Sequence, residues 1–139
     1  MAPTSQCSEH PPLSMSALAL ALSNPWTIES FSPVGSHPLL LVDTRPDVDD
    51  DDALAQCIEW LPRLPCPVIG IGLSGPLAPY TDTNVTSVAD ARTLLNNIRS
   101  HPLPAMTLMQ LLRHNQDASV DQGLLAESLA YSTLQGGAE

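Results

Sequence analysis

The chain has 139 residues, 43% of them hydrophobic, and its fifteen carboxylates and five basic residues give a formal net charge of −10. This length and composition indicate a folded domain rather than a disordered chain. All five basic residues are arginines, which excludes Schiff-base lysine chemistry and the phosphate-binding lysine of P-loops. An acidic chain without a basic cluster also argues against binding to nucleic acids or anionic membranes.

The N-terminal part begins with a polar, proline-rich segment, residues 1–12, which we expect to be poorly ordered. The apolar segment Leu13–Ser23 follows it. It is too short to span a bilayer and no basic residue precedes it, so a packed helix is favoured over a secretion signal. Helical spacing predicts a buried face made of Leu13, Ala17, Leu20 and Ala21.

Residues 37–72 have the pattern of a strand–helix–strand unit. The apolar run Pro38–Asp43 is typical of a strand buried on both faces, and Pro67–Gly72 repeats that pattern. Between them, Asp52–Leu64 is amphipathic, and Pro62 should end or kink that helix early. Such a unit closes as a right-handed crossover, so the two strands should be parallel. The predicted inner face of the helix is Leu54, Cys57, Ile58, Leu61 and Leu64.

Residues 87–135 are predicted to form three helices, after a short third strand near Val85. Ser87 caps the first, the second covers Ala105–Arg113, and Ser119 with Gln122 has capping-box spacing for the third. Arg113 and His114 are well placed for the C-terminal dipole of the second helix. The apolar positions of the last helix are Val120, Leu124, Leu125, Leu129 and Tyr131.

These elements together predict the fold class. We expect one α/β domain over residues 13–139, with a small, mainly parallel sheet of two or three strands, flanking helices and a helical C-terminal part.

The acidic segment Asp43–Asp52 allows two interpretations. Six aspartates lie within ten residues at the end of a predicted strand, where α/β folds place chemistry, so a metal-dependent enzyme using Asp43 and Asp47 is one hypothesis. The second, favoured, hypothesis is a solvated turn whose carboxylates face the N-terminus of the next helix.

Other candidate motifs are incomplete. Gly70–Gly75 matches G-x-G-x-x-G, but Pro76 and Pro79 follow where a dinucleotide site needs a helix. Cys57 and Cys66 are predicted to be structural, reduced thiols, which favours the cytoplasm. The histidines are dispersed, so we assign no catalytic, cofactor-binding or metal-binding residue.

The C-terminal third resembles a region that precedes the catalytic core in some bacterial enoyl-CoA hydratase/isomerase (crotonase superfamily) proteins. The matching phrases are Ile98–Pro102, Leu108–Arg113 and Glu127–Gln135, and the similarity extends over residues 37–139. The glycine-rich segments that carry the family's oxyanion hole and the family's acid/base carboxylates have no counterpart here. No family catalytic residue is therefore carried over.

The resemblance implies a non-catalytic N-terminal domain or accessory chain of a crotonase-type acyl-CoA enzyme, with no cofactor of its own. Its partner would be the crotonase catalytic core, in the same polypeptide or as a separate subunit, and a homo-oligomer is a further expectation. A free-standing protein-interaction module that uses the last two helices is the alternative. A reading frame that continues past Glu139 into crotonase motifs would favour the first hypothesis.

Overall fold

The computed structural model describes residues 11–137. Residues 1–10, which include Cys7, His10 and most of the segment expected to be poorly ordered, lie outside the described residues. The elements are, in chain order, α1 (Met15–Leu22), α2 (Pro25–Ser30), β1 (Leu40–Asp43), α3 (Asp51–Trp60), β2 (Val68–Ile71), β3 (Thr83–Val85), α4 (Val88–Ser100), α5 (Pro102–Asn115) and α6 (Val120–Gln135).

The three strands form a parallel sheet in the order β1-β2-β3. Leu40 pairs with Val68 in β2, and Ile69 pairs with Thr83 in β3. Leu13 adds an isolated parallel bridge to Val42 at the free edge of β1. The predicted fold class, a small parallel sheet with flanking helices and a helical C-terminal part, is confirmed.

Helix α3 ends as its sequence predicts. Asp50 caps its N-terminus by accepting hydrogen bonds from the amides of Asp52 and Ala53, both at 3.0 Å. The α-helix ends at Trp60, and Pro62 lies in a single 3₁₀ turn that follows, because its ring blocks a further α-helical turn. The predicted inner residues pack into the core, with Cys57, Leu61 and Leu64 fully buried and Leu54 and Ile58 beside them.

Two hydrophobic clusters form the core, one on each face of the sheet. The larger cluster joins α1 and α3 to β1 and β2, with Leu18, Val42, Leu61 and Val68 each fully buried. The smaller one packs α4 on the opposite face. It consists of Leu41, Ile69, Ile71, Ala91, Leu95 and Ile98. Strands between two helical layers are buried on both sides, which explains their continuous apolar sequence.

The predicted buried face of α1 is wrong. Leu20 is 77% exposed, and the buried side chains are Met15, Leu18, Ala19 and Leu22. Both sets satisfy helical spacing, because the helix is apolar almost all round. Hydrogen bonds from Ser16 to Asp47, in the middle of the β1–α3 connection, accompany the observed orientation.

Helices α5 and α6 differ from the sequence prediction in where α5 begins and in which residues of α6 are buried. Helix α5 begins at Pro102, three residues before the predicted start, because prolines in a first helical turn lack only amides that would have no partner in the helix. Helix α6 has the predicted capping box of Ser119 and Gln122. Its predicted apolar positions are all exposed, however, and Gly123 is its one buried residue.

Candidate functional site

Two aspartates of the acidic segment hold the helices of one sheet face. Asp47 accepts a hydrogen bond at 3.0 Å from the amide of Ser16, in the first turn of α1, and another from the Ser16 hydroxyl. These bonds lower the pKa of Asp47 because they stabilise its carboxylate. Asp50 is the N-cap of α3, as described above. Both carboxylates therefore accept hydrogen bonds from amides at the start of a helix, Asp47 at α1 and Asp50 at α3.

Asp43, the last residue of β1, accepts two hydrogen bonds from Arg45. The amide of Arg45 is 3.0 Å and its Nε 3.3 Å from the carboxylate. Across residues 11–137, no group of three or more His, Cys, Asp or Glu side chains is placed to hold a metal ion. The acidic segment is thus a capping and turn segment, with no ligand cluster around Asp43 and Asp47 in the described structure.

The glycine-rich loop after β2 packs on Thr44, which is fully buried. The Thr44 hydroxyl lies 2.9–3.2 Å from three carbonyl oxygens of residues 71–74. Gly72 and Gly75 have φ values of +115° and +132°, and a Cβ at either would collide with Thr44. The next helical turn is a 3₁₀ turn of three residues, so the described loop has no α-helix N-terminus for a pyrophosphate.

The two described cysteines are buried and free. Burial raises the pKa of Cys57 to about 11 and that of Cys66 to about 12. Both thiols are therefore protonated near neutral pH, and thiols rather than thiolates are poor nucleophiles. The prediction that these cysteines are structural agrees with this burial.

The described histidines lie in three separate places. His37 packs its ring against Phe31, with centroids 5.4 Å apart, and His114 is exposed near the C-terminal end of α5. His101 lies between α4 and α5. The fold does not bring them together with each other or with a thiol.

Arg113 attaches α5 to the sheet, a contact that sequence analysis did not predict. Its Nε and Nη2 donate to the two carboxylate oxygens of Asp82, at 2.7 and 2.6 Å. The same guanidinium donates to the carbonyls of Leu64 and Cys66. Asp82 also accepts a 2.7 Å hydrogen bond from the amide of Val68, the first residue of β2. Arg113 lies in the last turn of α5, as predicted, and its guanidinium also forms a bidentate, largely buried ion pair.

An apolar groove of about 520 Å³ lies beside this ion pair, between α4, α5 and the sheet. Asn97 and His101 are polar residues of its lining. Its apolar walls include Ile69, Leu94, Ile98, Ala105, Leu108 and Met109.

Several large apolar side chains are exposed on the hairpin that α5 and α6 form. We define the hairpin surface as Leu108 and Leu112 of α5 with Val120, Leu124 and Tyr131 of α6. Their exposed fractions are 49%, 49%, 79%, 59% and 64%. Leu108 also lines the groove, so the two features are continuous.

A second apolar stripe, Leu125 and Leu129, lies elsewhere on α6. Both leucines are about as exposed as Leu124, at 62% and 61%. The sequence analysis gave the residues of both stripes together as the apolar positions of the last helix. The small residues Gly123, Ala126 and Ala130 between them were the sequence feature that could have shown which side of α6 contacts α5.

Comparisons with known proteins found no matching family model, no similar curated protein and no similar solved structure. Within the described part of the chain, none of the helices has the length and apolar character needed to cross a membrane.

Proposed function

We propose that this chain is a non-catalytic accessory domain of a crotonase-type acyl-CoA enzyme, and that it contributes an assembly surface rather than reacting groups. The observation that carries the proposal is the hairpin surface, five large side chains that are about half exposed or more. Two of the three phrases that resemble crotonase-family sequences, Leu108–Arg113 and Glu127–Gln135, lie on this hairpin. Three of the five side chains, those of Leu108, Leu112 and Tyr131, belong to these two phrases.

The candidate reacting groups elsewhere support a non-catalytic domain. Asp47 and Asp50 bind backbone amides at helix starts, and the thiols of Cys57 and Cys66 are buried and protonated. The glycine loop packs closely on Thr44, where an oxyanion hole would need amides directed at an open site. Free, buried thiols also fit our placement of the domain in the reducing cytoplasm.

The direct test is to incubate the purified chain with a 2-enoyl-CoA such as crotonyl-CoA. Both hydration and double-bond isomerisation of the substrate are measured. We expect no turnover above the rate without protein. Turnover that a point substitution of this chain abolishes would contradict the proposal. A bona fide crotonase-type hydratase in the same buffer serves as the positive control for the assay.

The free-standing interaction module is the second candidate, because the hairpin surface alone would serve it equally well. The coding sequence around and beyond Glu139 separates the two. Crotonase motifs in the same frame or in a co-transcribed gene support the accessory domain. A stop codon without a linked crotonase gene favours the free-standing module.

A further inference from the structure

We propose that the hairpin of α5 and α6 is a lid that opens as one unit away from the sheet, with His101 as its hinge and Arg113 as the tether that holds it closed. The α/β part of the chain, residues 13–100, stays folded in the open form. This inference goes beyond the proposed function and does not depend on it. Three observations carry it: the sparse packing of the hairpin, the junction between α4 and α5, and the concentration of polar contacts on one side chain.

The hairpin has little apolar contact with the rest of the molecule. No residue of α5 is buried, and Gly123 is the one buried residue of α6. Among the described residues of the hairpin, Ala105 alone packs against either hydrophobic cluster. Gly123 faces Asn115 of α5, and the Asn115 amide donates a 3.3 Å hydrogen bond to Glu127. The two helices therefore contact each other while few apolar contacts hold them to the sheet, as in segments that open locally.

The junction between α4 and α5 is a single residue. His101 follows the last residue of α4 and precedes the first residue of α5, and its φ of −136° and ψ of 65° are not helical. Its side chain makes no capping hydrogen bond to α5. Hinges are a few residues at the ends of elements that absorb changes in φ and ψ. A change at His101 alone would therefore move both helices of the hairpin together.

Arg113 concentrates the polar attachment of the hairpin in one side chain. Its guanidinium donates to both carboxylate oxygens of Asp82 and to the carbonyls of Leu64 and Cys66. Only 19% of the Arg113 side chain and 10% of the Asp82 side chain are exposed. Arg113 thus closes the hairpin against the segment that precedes β2, and its withdrawal would uncover that segment.

Two buried thiols give a reporter of this opening and an internal control. Cys66 is fully buried, and its carbonyl accepts a 3.1 Å hydrogen bond from Arg113. Cys57 is also fully buried, but its Sγ lies 3.6 Å from the carbonyl of Met15 in α1. Opening of the hairpin should therefore expose Cys66 while α1 still covers Cys57.

The test is alkylation of the full chain by iodoacetamide under native conditions, with mass spectrometry of each cysteine peptide. Cys7→Ser is used as the background so that two thiols remain. We expect Cys66 to react roughly 100-fold faster than Cys57, because opening of the hairpin requires less free energy than unfolding of the α/β part. The Cys66 rate should also depend less on urea, because opening exposes less surface than global unfolding.

Two substitutions separate opening from global unfolding and identify the tether. Val42→Ala removes buried methyl groups from the α/β part, so it destabilises the closed and open forms equally relative to the unfolded chain. Alkylation of Cys57 should accelerate roughly tenfold and that of Cys66 should stay within about twofold. Arg113→Met should accelerate Cys66 roughly tenfold or more.

Arg63→Met is the matched control for the tether, because Arg63 forms an exposed ion pair with Glu59. It should leave the Cys66 rate within about twofold. Circular dichroism melting checks that each variant folds. Equal rates for the two thiols would overturn the inference, as would equal acceleration of both by Val42→Ala. A Cys66 rate that Arg113→Met leaves unchanged, or that Arg63→Met raises as much, would overturn it too.

Discussion

The α/β part of the chain, residues 13–100, and the hairpin, residues 102–137, are built by different means. Every fully buried hydrophobic side chain among the described residues lies between Met15 and Ile98. In the hairpin, α5 has no buried residue and α6 buries Gly123 alone. The first part is thus stabilised by burial on both faces of a sheet, and the second by local helix signals and a few contacts.

The hairpin is held by specific polar contacts rather than by a core of its own. Its helices form because prolines start α5 and a capping box starts α6. Arg113 then fixes α5 to the sheet through Asp82. Local signals and one ion pair position these two helices, and the apolar side chains on their outer faces stay exposed.

The largest expected effect comes from the core of the α/β part. Leu61→Ala should lower the free energy of unfolding by about 3 kcal/mol, because Leu61 is fully buried and its loss leaves a cavity. Urea unfolding followed by circular dichroism measures this. The matched control is Leu129→Ala on the hairpin, where the leucine is 61% exposed and the expected change is within about 0.5 kcal/mol. Similar losses at the two positions would contradict the comparison.

Loss of the ion pair between Arg113 and Asp82 should lower the free energy of unfolding by a smaller amount, and it should loosen mainly the hairpin. Arg113→Met removes the partner of Asp82, whose side chain is only 10% exposed, and should cost about 2 kcal/mol because a largely buried carboxylate loses its counter-ion. Amide hydrogen exchange should accelerate in α5 and α6 more than in the sheet.

The double variant Asp82→Asn/Arg113→Met provides the control for this second prediction. It removes the unpaired charge, so we expect it to recover part of the stability lost by Arg113→Met. Uniform exchange across the chain, or a double variant less stable than the sum of both single changes, would show that Arg113 does not act as a tether of the hairpin.

Most of the fold could be predicted from the sequence because its signals are local. The continuous apolar runs at Leu40–Asp43 and Val68–Ile71 belong to strands covered on both faces. Pro62 ends α3, and the caps at Ser87 and Ser119 start α4 and α6. Each of these features depends on a few neighbouring residues, so the sequence alone carries it.

The features that were missed depend on residues far apart in the chain. Arg113 and Asp82 are separated by 31 positions, and no periodicity relates them. The face of α1 could not be chosen because two sets of apolar residues fit equally well. On α6, leucines lie on two stripes, and Gly123, which lies between them, faces Asn115 of α5. Apolar periodicity identifies the helix there, but it does not show which apolar residues are buried.

The smallest predicted effect is a loss of stability at alkaline pH that belongs to the α/β part. Burial raises the pKa of Cys57 from 9.0 to about 11, so its thiolate forms more readily in the unfolded chain. The contribution of the protonated Cys57 thiol to the free energy of unfolding is therefore fully present below pH 9, and it is lost as the pH rises from 9 toward 11. Burial also raises the pKa of Cys66 to about 12, but Cys66 is present in both proteins, so the difference between them isolates Cys57. The free energy of unfolding should fall between neutral pH and about pH 10 in both proteins. In Cys57→Ser this fall should be smaller than in the unaltered chain by about 1.4 kcal/mol. Urea unfolding at both pH values measures the difference, and equal losses in the two proteins would contradict a pKa raised by burial.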